Sequence, residues 1–236
     1  MAFDRNHTST GMKLVIIIFA VVLVVSLMLP SLSALLSSSQ APQQAQEQNV
    51  ATEQAIPQSA SQIDDYYKPS IESIEKRLEQ DPENVALLND KANAYFDWAM
   101  SRSYLSVSDE DKAKTKEVFA QAVTVYDQVL AKASSNSASV DRAIAEYYSG
   151  EQEAAIKSLE DFTADAGANF APAWANLAMF YEKIDKNKAL ETYNKALDLV
   201  GNGNESLKEF VNARKQALEA ADTDSSDSGS EAQDAK

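Results

Sequence analysis

The sequence predicts an all-α fold, a stacked array of antiparallel helix pairs preceded by a single transmembrane helix. Three observations carry this. Six Gly, six Pro and few β-branched runs outside the N-terminus favour helices throughout the body of the 236-residue chain. Between Ala171 and Gly201, two apolar stripes recur at helical spacing on either side of a polar break, Asp185-Lys186-Asn187. From Leu14 to Leu36 there is no charged residue, a length that suits the roughly 20 residues needed to span a bilayer core.

Taken in order, residues 1–13 form a short polar arm and residues 14–36 the membrane anchor. Arg5 and Lys13 precede the apolar segment, and the next basic residue after it is Lys68. The positive-inside rule then keeps the N-terminus in the cytoplasm and places the remainder outside, in an extracytoplasmic compartment. A cleavable signal peptide is the alternative, with Ser31 and Ser33 as the small residues before the cut; the product would be a secreted helical binding protein. Residues 37–62 are rich in Gln, Ser and Ala, with too few large apolar groups to offset the entropy of ordering, and read as a flexible linker. The helical domain is expected over residues 63–221. An acidic tail without aromatics, expected to be disordered, fills residues 222–236.

Within the domain, Pro69 reads as an interruption after Ile63–Lys68 and as the first residue of a helix carrying Ile71, Ile74 and Leu78. Asp81-Pro82-Glu83-Asn84 ends that helix. Val85–Met100 carries Leu88, Ala92 and Tyr95 at helical spacing, and a later stripe holds Ala122, Tyr126, Val129 and Leu130. The stretch between them, Ser103–Lys116, lengthens both helices around a short loop near Ser106. Ser108 is the N-cap, and Asp109, Glu110 and Asp111 sit in the first turn. The next pair carries Ala143 before a turn at Gly150, then Ala155, Leu159 and Phe162. In the pair at 171–201, Trp174, Leu177, Ala178 and Tyr181 face Ala189, Tyr193, Ala196 and Leu197. The small residues Ala178 and Ala189 allow close approach, and Trp174 is expected as a core wedge beside them. Leu207, Phe210, Val211, Arg214 and Leu218 then make a closing amphipathic helix over Glu205–Ala221.

This last pair resembles a tetratricopeptide (TPR) repeat, whose pattern is W-x2-L-G-x2-Y, then A-x3-F, then P. Ala178 replaces the usual Gly, Tyr193 the usual Phe and Gly201 the terminal Pro. The resemblance extends over about residues 70–220 and departs from the pattern where Lys91 takes a Leu position, Ser139 the Trp position and Glu146 the Tyr position. It implies a solenoid whose first helices line a groove for a protein or peptide partner. Carried over, the groove positions are Asn89, Asn93, Phe96 and Asp97; then Val140, Ile144, Tyr147 and Tyr148; then Ala175, Met179, Glu182 and Lys183. Asn93 would bond a peptide backbone and Phe96, Tyr147 and Tyr148 would pack on side chains; alternatively, these aromatics are buried between helices. Asn89 stands where a groove specific for carboxylate tails would place a lysine.

The net charge of −15 argues against nucleic acid as a partner, because phosphate binding needs clustered Lys and Arg. Without cysteine, disulfides and thiolate chemistry are excluded, and the one histidine, His7, lies on the N-terminal arm. Phosphate-binding and nucleophile-elbow motifs are missing, and no cofactor or metal is implied. The tail fails the register of a calcium loop, since Asp227 follows Ser226 where Gly is required. Paired acids such as Asp64-Asp65 and Glu160-Asp161 read as a solvated face; a hydrolase working through carboxylates alone is the third functional reading. Asn204-Glu205-Ser206 matches a glycosylation sequon. The expectation is therefore a non-enzymatic, membrane-anchored scaffold that binds other proteins. Its layout resembles accessory subunits of secretion, cytochrome-maturation or envelope-assembly machineries, an analogy of fold that does not choose among them.

Overall fold

A computed structural model describes Pro57, residues 59–201 and residues 203–227, with side chains described to residue 220. These residues lie in one compact unit, and they are helical wherever they are regular. Eight helices follow one another: α1 (Ala60–Gln80), α2 (Val85–Ser103), α3 (Asp109–Leu130), α4 (Asn136–Ser149), α5 (Gln152–Ala164), α6 (Ala171–Tyr181), α7 (Lys186–Val200) and α8 (Glu205–Asp227). None of them is long and apolar enough to cross a membrane. The segment 14–36 expected to do so, the arm before it and nearly all of the linker lie outside the described residues.

Each helix packs on its chain neighbours, and the pairs α2–α3, α4–α5 and α6–α7 form successive hairpins. Contact also runs between first helices, from α2 to α4, α4 to α6 and α6 to α8. The second helices make no comparable contact with one another. A stack that is tighter on one side must curve toward it, so α2, α4 and α6 line the inner face. Inside each pair two alanines are fully buried: Ala92 and Ala122, Ala143 and Ala155, Ala178 and Ala189. Around them pack the largest fully buried side chains, among them Tyr126, Tyr193, Phe119, Phe180 and Leu159.

Helix ends follow local chemistry. Ser108 caps α3 as expected, its Oγ accepting from Asp111 N at 3.0 Å, and three acids occupy the first turn where the helix dipole favours them. Asn84, Ser135 and Asp185 cap α2, α4 and α7 in the same way. Gly150 ends α4 at φ 117°, a left-handed conformation that other residues resist. At Gly167 the constraint is space, because a Cβ there would lie 2.4 Å from the Phe162 ring. The α2–α3 loop is short, with Ser106 Oγ donating to the Arg102 carbonyl at 2.8 Å.

Three expectations are corrected. The first helix begins at Ala60, so residues 60–62 are its first turn and not the end of a linker, and Pro69 lies inside it without interrupting it. Pro69 and Asp65, whose carbonyl loses its partner, are both exposed, so water can satisfy that carbonyl. The turns before Pro69 are held by α2: Trp98 Nε1 donates to Asp64 at 2.8 Å, the Tyr67 and Ser101 hydroxyls lie 3.1 Å apart, and Arg102 sits between Asp64 and Asp111. Second, α8 continues to Asp227, past the expected boundary at 221 and into the tail expected to be disordered. Third, Trp174 is only partly buried. Its ring packs over the cluster of Ala175, Ala178, Tyr193, Ala196 and Val211, and its Nε1 donates to the Ala168 carbonyl at 3.0 Å. It covers that cluster, and Tyr193 fills it.

If the alanine contacts set the spacing of each pair, enlarging one must force the helices apart. Ala178→Leu should destabilise the protein by about 1–3 kcal/mol, the usual cost of overpacking. Ala120→Leu, at an exposed site on α3, should change the urea midpoint little. Equal midpoints for the two variants would show that Ala178 is not a spacing contact.

Candidate inner-face binding site

The inner face is built on α2 and α4, with α6 and α8 continuing it. Its floor is an aromatic ladder. Phe96 lies edge-on to Phe119 and Tyr126, with ring centres 6.2 and 6.4 Å apart. Phe119 stacks on Tyr148 at 5.5 Å, Tyr148 meets Tyr147 edge-on at 5.5 Å, and Tyr147 stacks on Phe180 at 4.1 Å. Such contacts fix ring orientations as well as bury area.

The residues expected to line the groove divide accordingly. Phe96, Ile144, Tyr147 and Met179 are half-buried and packed against the core, while Val140 and Ala175 are wholly within it. Asn93 Oδ1 accepts from the Tyr126 hydroxyl at 2.8 Å, so the amide serves the packing of α2 on α3. Asn89 is half-buried without a hydrogen bond assigned to it, and Lys183 is exposed. Glu182 is engaged twice, accepting from the Tyr193 hydroxyl at 2.5 Å and from Arg214 Nε at 2.8 Å, and so ties α6 to α7 and α8. Tyr148 keeps 40% of its surface open and Asp97 is exposed.

Two residues not singled out from the sequence complete the face. Asp141 follows Val140 on α4, and Tyr104, 49% exposed, follows the last turn of α2. Burial, and then the charge of Asp97, push the Asp141 carboxyl up to about 6. Burial also raises Asp97, although its side is open to solvent, and the Tyr126 hydroxyl is raised by burial and by both carboxylates. Burial raises Tyr148 as well, followed by the influence of Tyr147 and Tyr104. The signal available in the sequence was a repeated spacing of seven: Asp97 to Tyr104 and Asp141 to Tyr148.

On the other side of the array, Glu160, Trp174, Leu177, Tyr181, Lys188 and Thr192 line an open indentation of about 290 Å³. Glu160 is already satisfied there by the Tyr181 hydroxyl and Lys188. Among the described residues no group of three or more His, Cys, Asp or Glu side chains is placed to hold a metal ion.

A scan of protein-family models and a search of curated proteins return no match to the chain. Solved structures similar to it include two crystal structures of MamA. One is 20% identical with a TM-score of 0.44, the match covering 59% of this chain and 67% of that one. The other is 16% identical with a TM-score of 0.45, covering 71% and 95%.

The raised Asp141 pKa has a consequence for stability. An acid whose folded pKa exceeds its unfolded value, about 3.9, costs nothing below that value; its cost grows between about pH 4 and 6 and is complete above. Asp141→Asn should therefore stabilise the protein at pH 7.5, by on the order of 1–2 kcal/mol after allowance for solvent screening. That advantage should vanish near pH 4. Paired urea titrations at the two pH values check this; a variant less stable than the parent at pH 7.5 would show that the carboxylate has a favourable partner.

Proposed function

We propose that the chain is a membrane-anchored TPR-type scaffold that binds a segment of another protein on the face formed by α2, α4 and α6, without chemistry of its own. The observation that supports this most directly is the stacking of first helices into one continuous face. That face carries partly exposed aromatic rings and carboxylates, while Asn93 and Glu182 are tied up internally. A rigid helical face with aromatic side chains is a common means of holding an extended or helical segment. The uncharged segment 14–36, with Arg5 and Lys13 before it, supports an N-terminus in the cytoplasm and a domain outside it. An accessory role in a secretion or envelope-assembly machinery fits this layout. The aliphatic stretch from Leu14 to Leu29 is slightly long for the core of a cleaved signal, and the apolar character continues to Leu36, which favours tethering over secretion.

A cysteine-free chain offers a clean test of both parts. With a single cysteine introduced as Ser103→Cys, a membrane-impermeant maleimide should label the protein in cells with intact inner membranes; protection until lysis would reverse the orientation. A photo-crosslinking residue at position 148 should give discrete protein adducts in the same cells, whereas one at position 121, exposed on α3, should not. Adducts from 121 alone would move the binding surface to the outer face, and adducts from neither would remove the scaffold reading.

A further inference from the structure

The two repeats of seven place matching residues side by side. Seven residues are about two helical turns, or roughly 10 Å of rise, so Asp97 and Tyr104 share one face of α2 and its end, and Asp141 and Tyr148 share one face of α4. The two helices touch. The charge of Asp97 is felt at Asp141, and Tyr104 is felt at Tyr148. The carboxylates are therefore neighbours at one end of the face and the phenols at the other.

Asp141 differs from the other shielded acids of the domain, and the exposed Asp97 adds a second carboxylate beside it. Asp64 has Arg102 and the Trp98 indole. Glu146 has Arg142 and Ser158. Glu182 has Arg214 and Tyr193. Asp97 and Asp141 have neither an ion pair nor a hydrogen bond assigned to them, although burial raises the pKa of each. Shielding a charge without a partner is costly; no cation among the described residues is paired with Asp141, and one supplied by a partner would relieve it. Two carboxylates fall short of the six or more oxygens that calcium takes. Net charge −15 disfavours both a polyanion and a second copy of the chain.

We propose that this face binds an extended segment of a partner protein, seating a lysine or arginine between Asp97 and Asp141 and laying a bulky apolar side chain three positions away across Tyr104 and Tyr148. The spacing follows from geometry: a segment in the extended polyproline II conformation advances about 3.1 Å per residue and completes a turn every three residues, so side chains three positions apart lie on one side and span the distance between the carboxylate and phenol ends. Tyrosine faces accept both apolar and cationic groups. The proposal rests on the reading of this face as the binding surface and adds the chemistry of what it selects.

The test uses the full chain in detergent micelles and random dodecapeptides displayed on phage. Enriched peptides should carry Lys or Arg with a bulky apolar residue three positions away. The strongest, made synthetically and measured by fluorescence anisotropy, should bind the Asp97→Asn, Asp141→Asn double variant at least tenfold more weakly. Replacing its basic residue with Gln should cost affinity against the parent protein and nothing against the double variant. That variant should melt no lower than the parent, so lost binding would not reflect lost folding. Enrichment of acidic or purely apolar peptides, or equal binding by the double variant, overturns the proposal. If photo-adducts from position 148 persist in that case, the scaffold reading survives without it. Adducts that prove to be dimers of this chain assign the face to self-association and also overturn the proposal.

Discussion

The spacing between paired helices is set by alanine. Ala92, Ala122, Ala143, Ala155, Ala178 and Ala189 are all completely buried. A methyl group at these positions lets two helix backbones approach more closely than larger side chains permit. The bulk excluded from these points is supplied beside them by Tyr126, Phe119, Leu159, Phe180 and Tyr193. The gaps between one pair and the next then lie at a fixed distance from the pair axis, which allows the ladder from Phe96 to Phe180 to run unbroken through three hairpins.

Where the repeat pattern loses an apolar residue, the structure substitutes a polar clasp. Lys91, in a position where the pattern has Leu, reaches Glu75 of α1 at 2.8 Å and lies 5.9 Å from the centre of the Tyr95 ring. Glu146, in a Tyr position, accepts from Arg142 and Ser158, both at 2.9 Å, while Arg142 also holds Asp127 of α3 at 2.5 Å. One side chain there links three helices. Such networks stabilise little in themselves, since desolvation offsets most of the attraction. What they add is geometric, because a misplaced helix would strand several shielded charges together.

The sequence disclosed those features that depend on a single helix or a single turn. Apolar stripes, the cap at Ser108, the turn at Gly150 and the lengthened second pair all follow from local spacing. Pro69 misled because a local rule was overridden from outside: the contacts of Asp64 and Tyr67 with α2 keep the chain helical on both sides of it. The inner face was half legible. The repeat register identified Asp97 and Tyr148, but it passed over Asp141 and Tyr104, which do not occupy its groove positions. Their relevance depends on α2 and α4 lying abreast, and that is a property of two helices some forty residues apart in the chain. Glu182 was misleading for the complementary reason, since its partner Arg214 lies on α8 and no short-range pattern links them.

The substantial contacts among the described helices join neighbours or next neighbours in the chain. Such a body behaves less like a droplet than like a stack of coins, in which a disturbance is felt by adjoining members and fades beyond them. The two ends are not equivalent. α1 is fastened by Arg102, Trp98 and Tyr67, whereas α8 is held by Val211, Leu207, Leu218 and the bond from Arg214 to Glu182. Peeling α8 away would uncover Tyr193 and Ala196 and leave Glu182 with Tyr193 alone, while the hairpin bearing Asp97 stayed closed. The chain can therefore fray from its C-terminal end without disassembling the middle, and such an event would reach the inner face through Arg214, whose charge is felt at Tyr148.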